Sequence, residues 1–311
     1  MNRRHFTYLL WAGSAFAQKR KPPATPSPTR SSDDETITLD VTRVNLFFSV
    51  TDRKGRFVTN LTKEEFELHE AKKQQEIIEF AAESNLPLRI GVLIDTSNSI
   101  RERFRFELEA CGEFLNGLIR KGQDKALVVA FDTESKLVCD LSDDLEDMNK
   151  RLRDLRPGGG TALYDAIAFS CKEKLSLDRP MHKFNRAMVI VGDGEDNASQ
   201  LSRDQALEFA QKTDVKIFAI STNITKVETD GDKVLKYLAK ETGGQAFFPF
   251  KAQDLAQDFE NIAHELRSQY SILFKPEPLI LDGLYHPIEV HVKGRKDLIV
   301  RARSGYYAPR K

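Results

Sequence analysis

The stretch Leu86-Pro87-Leu88-Arg89-Ile90-Gly91-Val92-Leu93-Ile94-Asp95-Thr96-Ser97-Asn98-Ser99 decides the fold. Leu88 to Ile94 is a near-continuous apolar run of strand length, the pattern of a strand buried on both faces. It stops at an acid followed by two serines, spaced D-x-S-x-S. Beyond them Phe104, Leu108, Cys111, Leu115 and Leu118 fall at helical spacing, so 101–120 reads as an amphipathic helix. A buried strand that ends in Asp and runs into a helix opens a parallel α/β repeat. Open sheets of that kind place their sites at the carboxyl ends of the strands.

Working outward, the repeat continues. Ala126 to Phe131, Ala187 to Val191 and Val215 to Ile220 are further buried strands, and Val138 to Leu141 is a short edge strand. Helical spacing marks Leu145 to Leu155, Thr161 to Leu175, Ser202 to Thr213, a segment around Val234 to Leu238, and Leu255 to Leu266; Gln245 to Phe248 adds a strand. Residues 86–270 therefore predict a doubly wound, mostly parallel sheet with helices on both faces.

Period-two alternation governs the flanks. In 36–85 it runs through Ile37, Leu39 and Val41, then Val44, Leu46, Phe48 and Val50, with a turn at Asp52 to Gly55 and a strand at Phe57-Val58. Thr62 with Glu65 forms a capping box, and Phe66 to His69 and Glu76 to Phe80 are further short strands. The tail, 271–311, returns to strands near Tyr270 to Phe274, Ile288 to Val292 and Leu298 to Ala302. The two β segments are expected to pair with each other into a small β module.

The chain opens with Arg3-Arg4, a short apolar stretch from Phe6 to Trp11, and Ala15-Phe16-Ala17. That is the layout of an export signal over 1–17, twin-arginine or general secretory. Residues 18–35 are rich in Pro, Ser, Thr and charge and predict a disordered linker. The expectation is an exported protein, periplasmic or extracellular. The apolar stretch is far shorter than the roughly 20 residues a membrane helix needs, so no integral membrane segment is expected in the mature chain.

Composition bounds the function. In 311 residues, 47 Lys and Arg balance 47 Asp and Glu, which argues against a nucleic-acid binder. Cys111, Cys139 and Cys171 are too few and too scattered for a disulfide framework or a zinc site. No Lys follows Gly158-Gly159-Gly160-Thr161 as a phosphate loop requires, and no G-x-S-x-G elbow is present. Ser97 stands where a phosphate-accepting Asp95 would want a second Asp. No enzyme is expected; a Mg²⁺-dependent hydrolase or phosphatase, or a purely structural ion, stand as alternatives.

Three segments carry the chemistry. Asp95-Thr96-Ser97-Asn98-Ser99 ends the first buried strand, Pro157-Gly158-Gly159-Gly160-Thr161 opens a helix, and Asp193-Gly194-Glu195-Asp196-Asn197 follows the third buried strand. Carboxylates and hydroxyls with no nearby His or Cys are hard oxygen donors, suited to Mg²⁺ rather than zinc.

With these motifs in this order, the chain resembles the von Willebrand factor type A domain over about 86–270. The resemblance implies a metal-ion-dependent adhesion site made by Asp95, Ser97, Ser99, Thr161 and Asp193, holding Mg²⁺, with Mn²⁺ or Ca²⁺ as alternatives. It implies a protein partner that offers an Asp or Glu carboxylate to the ion. Asp196 is read as a supporting group or a helix cap, and Gly192 stands where the family often has Thr. The flanks, Val50 to Val58 and Val300 to Ala308, are similar to those of exported bacterial proteins with a related domain, which extends the likeness to about 36–308.

Overall fold

The computed structural model describes residues 43–82, 86–98, 104–223, 225 and 227–310, the side chains of 252 and 253 excepted. The readings at 1–17 and 18–35, the strand from Ile37 to Val41, and Ser99 lie outside the described residues. In chain order the amino flank forms β1 (Val44–Asp52), β2 (Phe66–Glu70), β3 (Lys73–Gln75) and β4 (Ile77–Ala81). The α/β unit follows with β5 (Leu88–Asp95), α1 (Phe104–Leu118), β6 (Lys125–Phe131), β7 (Ser135–Ser142), α2 (Leu145–Asp154) and α3 (Leu163–Ser170). It continues with β8 (Asn185–Gly192), α4 (Arg203–Lys212), β9 (Val215–Ser221), α5 (Asp230–Thr242), β10 (Ala246–Phe247) and α6 (Ala252–Arg267). The carboxyl flank adds β11 (Tyr270–Phe274), β12 (Tyr285–Val292), β13 (Leu298–Ala302) and β14 (Gly305–Tyr307).

The central sheet has the order β10-β9-β8-β5-β6-β7, parallel except for β7 at the edge. Its middle strands are buried along their whole length, which is why they read as apolar runs. Alternate residues feed two cores. Ile90, Val92 and Ile94 face α1, α2 and α6, while Leu93 faces α3, α4 and α5. Each such Leu, Ile or Val contributes about 1.5–3 kcal/mol on burial. The chain leaves β5 toward β6 on one side and returns to β8 on the other, so the carboxyl end of β5 is the point where the winding reverses. That is where Asp95 stands.

The flanks pair as expected and build two four-stranded antiparallel sheets, β13-β1-β11-β4 and β14-β12-β2-β3. Leu46, Phe48, Phe66, Tyr270, Ile272, Phe274 and Val290 fill the core between them. Tyr270 also donates its hydroxyl to Val58 O and accepts the Leu61 N–H, so an apolar ring carries its own polar partners into the core. β1 is buried on both faces because its other side, with Phe47 and Ser49, meets the α/β unit. There Ser49 Oγ donates to Glu265 of α6. α5 ends at Gly243, whose φ of +80° makes the left-handed cap and lets the helix end touch the Ala302–Arg303 backbone. No helix among the described residues is long and apolar enough to cross a membrane.

Several local expectations are corrected. Phe57-Val58 makes only an isolated bridge from Phe57 to Thr51, because the hairpin closes at Asp52–Arg56 and the chain then leaves the sheet. The helix expected from Thr161 begins at Leu163 and loosens into a π turn over Cys171–Leu175. β3 and β14 were not expected: the first is polar, and both take their order from strands distant in sequence or from a tight turn.

Candidate functional site

Asp95 ends β5 with its side chain inside the protein, 0% exposed. Oδ1 accepts the Ser97 N–H at 2.7 Å, a turn that swings the chain out of the strand. Oδ2 is buried and has no hydrogen-bond partner. Burial pushes the Asp95 carboxyl up to about 6; the Ser97 N–H and hydroxyl and the Asp193 N–H pull against that, and the nearby Asp193 carboxylate adds to the rise. An acceptor oxygen held in the dark beside a second carboxylate is costly unless a positive charge reaches it.

Gly192, the last residue of β8, explains how Asp95 fits. A Cβ there would lie 2.9 Å from Asp95 Cβ and 3.1 Å from Oδ2. Gly192 thus packs directly against the Asp95 side chain. Asp193 follows, half-buried, and accepts the Glu195 N–H at 3.0 Å on Oδ1.

Thr161 is buried in the loop before α3. Its N–H donates to Asn197 Oδ1 at 2.9 Å, and its carbonyl accepts from the Asn197 and Ala198 N–H groups. The same loop is tied to the first one: Gly158 N–H donates to Thr96 O at 2.6 Å and Asn98 Nδ2 to Gly159 O at 3.2 Å. Three loops at the carboxyl edge of the sheet are thereby laced into one surface. Asp95, Ser97, Thr161 and Asp193 all lie on those loops or at their roots. Ser99 belongs to the first loop by sequence only.

Sequence reasoning missed three supporting residues. Asp132 O accepts the Ala162 N–H, Thr133 Oγ1 accepts the Gly160 N–H at 2.9 Å, and Asn197 binds Thr161. Asp132 and Thr133 follow β6 directly, so position at a strand end was the available signal. Asp196 acts as the cap: Oδ2 accepts the Tyr164 N–H of the first turn of α3 and the Ser199 hydroxyl.

Among the described residues, no three His, Cys, Asp or Glu side chains converge as a metal cage. The donors on offer are two carboxylates and neutral hydroxyls, a hard-oxygen set whose two negative charges balance a divalent cation. None of the described histidines is placed there by the topology. His69, His286 and His291 belong to the β module, His182 to a turn before the amino end of β8, and His264 to the last turns of α6.

Comparison with known proteins agrees with this fold. Residues 90–195 match the family model for the von Willebrand factor type A domain, about a third of the chain. An uncharacterized protein of Borreliella burgdorferi is 31% identical over 138 residues, 42% of this chain and 39% of its own length. The chain thus spans about two-fifths of that relative. Among solved structures, proximal thread matrix protein 1 from the mussel byssus aligns with a TM-score of 0.51 at 16% identity, over 64% of this chain and 51% of that one. A second structure of that protein, with zinc in its MIDAS motif, aligns with a TM-score of 0.51 at 17% identity, over 64% and 50% of the two chains. At such identity the likeness concerns the fold.

Proposed function

We propose that the von Willebrand factor type A domain carried by this chain is a divalent-cation-dependent protein-binding module. The observation that supports it best is Asp95 Oδ2, buried, without a hydrogen-bond partner, and close to Asp193. The residues that would hold the cation are Asp95, Ser97, Ser99, Thr161 and Asp193, and the ion is Mg²⁺. A bound Mg²⁺ would supply a Lewis-acidic centre on the outer face of the loops, because the hydroxyl ligands carry no charge and donate weakly. Asp95 anchors that charge from inside the sheet, and the hydrogen bonds among Thr96, Gly158, Thr161 and Asn197 hold the hydroxyl-bearing loops in register. The partner group with matching chemistry is an Asp or Glu carboxylate. The zinc in the byssus protein's motif favours a divalent cation at the equivalent place without choosing the ion.

Export belongs to the same proposal, resting on the pattern of Arg3-Arg4 and Ala15-Phe16-Ala17. The test is affinity capture from an envelope fraction with Mg²⁺ and again with chelator. A partner retained only with Mg²⁺, and lost with Ser97→Ala, is the expected result. An identical set of captured proteins in both conditions sinks the adhesive reading in favour of an ion that only ties loops together.

A further inference from the structure

At the opposite, amino end of the sheet, β8 and β9 rest on the face of β1 that carries Phe47. A cavity of about 20 Å³ remains between them, lined by Asn185, Arg186, Gln211, Asp214, Lys216 and Arg303 among others. Its surroundings are unusually cationic for an interior. Lys216 is 5% exposed and its Nζ has no hydrogen-bond partner. Arg186 is buried and spends its guanidinium on three carbonyls, those of Leu175, Asp178 and Met181, rather than on a carboxylate. Arg301 pairs with Glu265 and Arg303 with Asp214. Four cations thus meet two carboxylates.

The unmet hydrogen bonds have the same sign. Lys216 Nζ, Gln269 Nε2, Arg301 Nε and Arg303 Nε are all buried donors without partners. Gln269 joins the group through its Oε1, which accepts from Asn185 of the cavity wall. Both carboxylates of the region, by contrast, are engaged. Burial pulls Lys216 down to about 8, with Glu265 and Asp214 opposing the shift and Arg301 adding to it.

We propose that this cavity is a binding site for a small monovalent anion of chloride size, with Lys216 Nζ as its principal donor. A water could accept some of these hydrogen bonds but would leave the excess positive charge buried, which is expensive. The anion joins the base of the α/β sheet to the β module, since Lys216 and Arg186 come from one and Arg303 from the other.

The test is thermal unfolding of the full chain at constant ionic strength, replacing gluconate stepwise by chloride. Chloride should raise the midpoint saturably, by about 2–4 °C, and Lys216→Met should abolish the response. Equal midpoints in the two salts, or an undiminished chloride response in Lys216→Met, would overturn the site. Should that variant fail to fold, bromide-soaked crystals of the unaltered protein decide. An anomalous peak within hydrogen-bond reach of Lys216 Nζ supports the proposal, and a water there without anomalous signal refutes it.

Discussion

The two ends of the central sheet solve opposite electrostatic problems. At the carboxyl edge Asp95 is buried beside Asp193, and the atom left without a partner is an acceptor. At the amino edge the buried charges include Arg89, Asp124, Arg186 and Lys216, and the orphaned atoms around Arg186 and Lys216 are donors. Asp124 shows what full compensation looks like. It accepts from the Leu88 and Arg120 N–H groups, the Arg120 guanidinium and Arg267. Burial alone would raise its pKa, yet these partners hold it well below the usual carboxylate range. Two carboxylates, equally hidden, thus shift in opposite directions. The difference teaches that Asp124 is compensated within the fold, whereas Asp95 is left without such compensation, which is what the proposed cation would supply.

The comparison breaks most visibly at Asp124. Asp124→Ala strands Arg120, Arg267 and the Leu88 N–H, and should cost about 3 kcal/mol in urea unfolding, near the low end for a broken buried pair because both guanidiniums can reach water. The sign also fixes its pH dependence. A depressed carboxyl contributes stability that is present above its ordinary range and lost on acidification, so Asp124→Asn should flatten the acid limb of the stability curve. An unchanged limb would show that Asp124 is not a stabilising anion.

Asp95→Asn should do the reverse. The folded protein holds the Asp95 proton up to about 6, so stability contributed by this group falls as pH rises from the ordinary carboxylate range to 6. Without metal at pH 7 the variant should therefore be more stable than the parent, by about 1–3 kcal/mol. The gain should vanish near pH 4, and any Mg²⁺-dependent rise in midpoint should disappear. A loss of stability at pH 7 would mean that Asp95 supports the fold after all.

A smaller effect sharpens the geometry. Gly192→Ala drives a Cβ against Asp95 and should weaken Mg²⁺ binding by about tenfold, ~1.4 kcal/mol, read by titration calorimetry; undiminished affinity would show that Asp95 can shift freely. The smallest effect belongs to neither edge. Arg151 and Asp147 pair on the surface of α2 and are half exposed or more at the guanidinium, so Arg151→Ala should stay within about 0.5 kcal/mol. A larger change would show that this solvent-facing pair stabilises the fold more than an exposed pair ordinarily does.

The four central strands were legible because burial on both faces leaves an apolar run that no other element of that length produces. The flanking strands were legible as alternation, and their pairing followed from symmetry around the α/β unit. β3 was not, since Lys73-Gln74-Gln75 has no apolar pattern and owes its order to Leu68 to Glu70 across a turn. Asp95 and Asp193 were readable as acids at strand ends, and Ser97 and Thr161 as hydroxyls on the adjoining loops; that they hold a cation is the proposal. Asp132, Thr133 and Asn197 act through backbone contacts that only the folded loops create. The cationic base was not legible at all. Arg186 and Lys216 stand at the starts of apolar runs, where a charge looks like a strand boundary, and their burial depends on β1 and β13, far away in sequence.

The central claim is that the carboxyl edge awaits a cation, and titration calorimetry of chelator-stripped protein with Mg²⁺ tests it most directly. One Mg²⁺ per chain for the parent, and none for a folded Asp95→Ala, is the predicted result. Equal binding by the two proteins, or no binding by the parent, would contradict it.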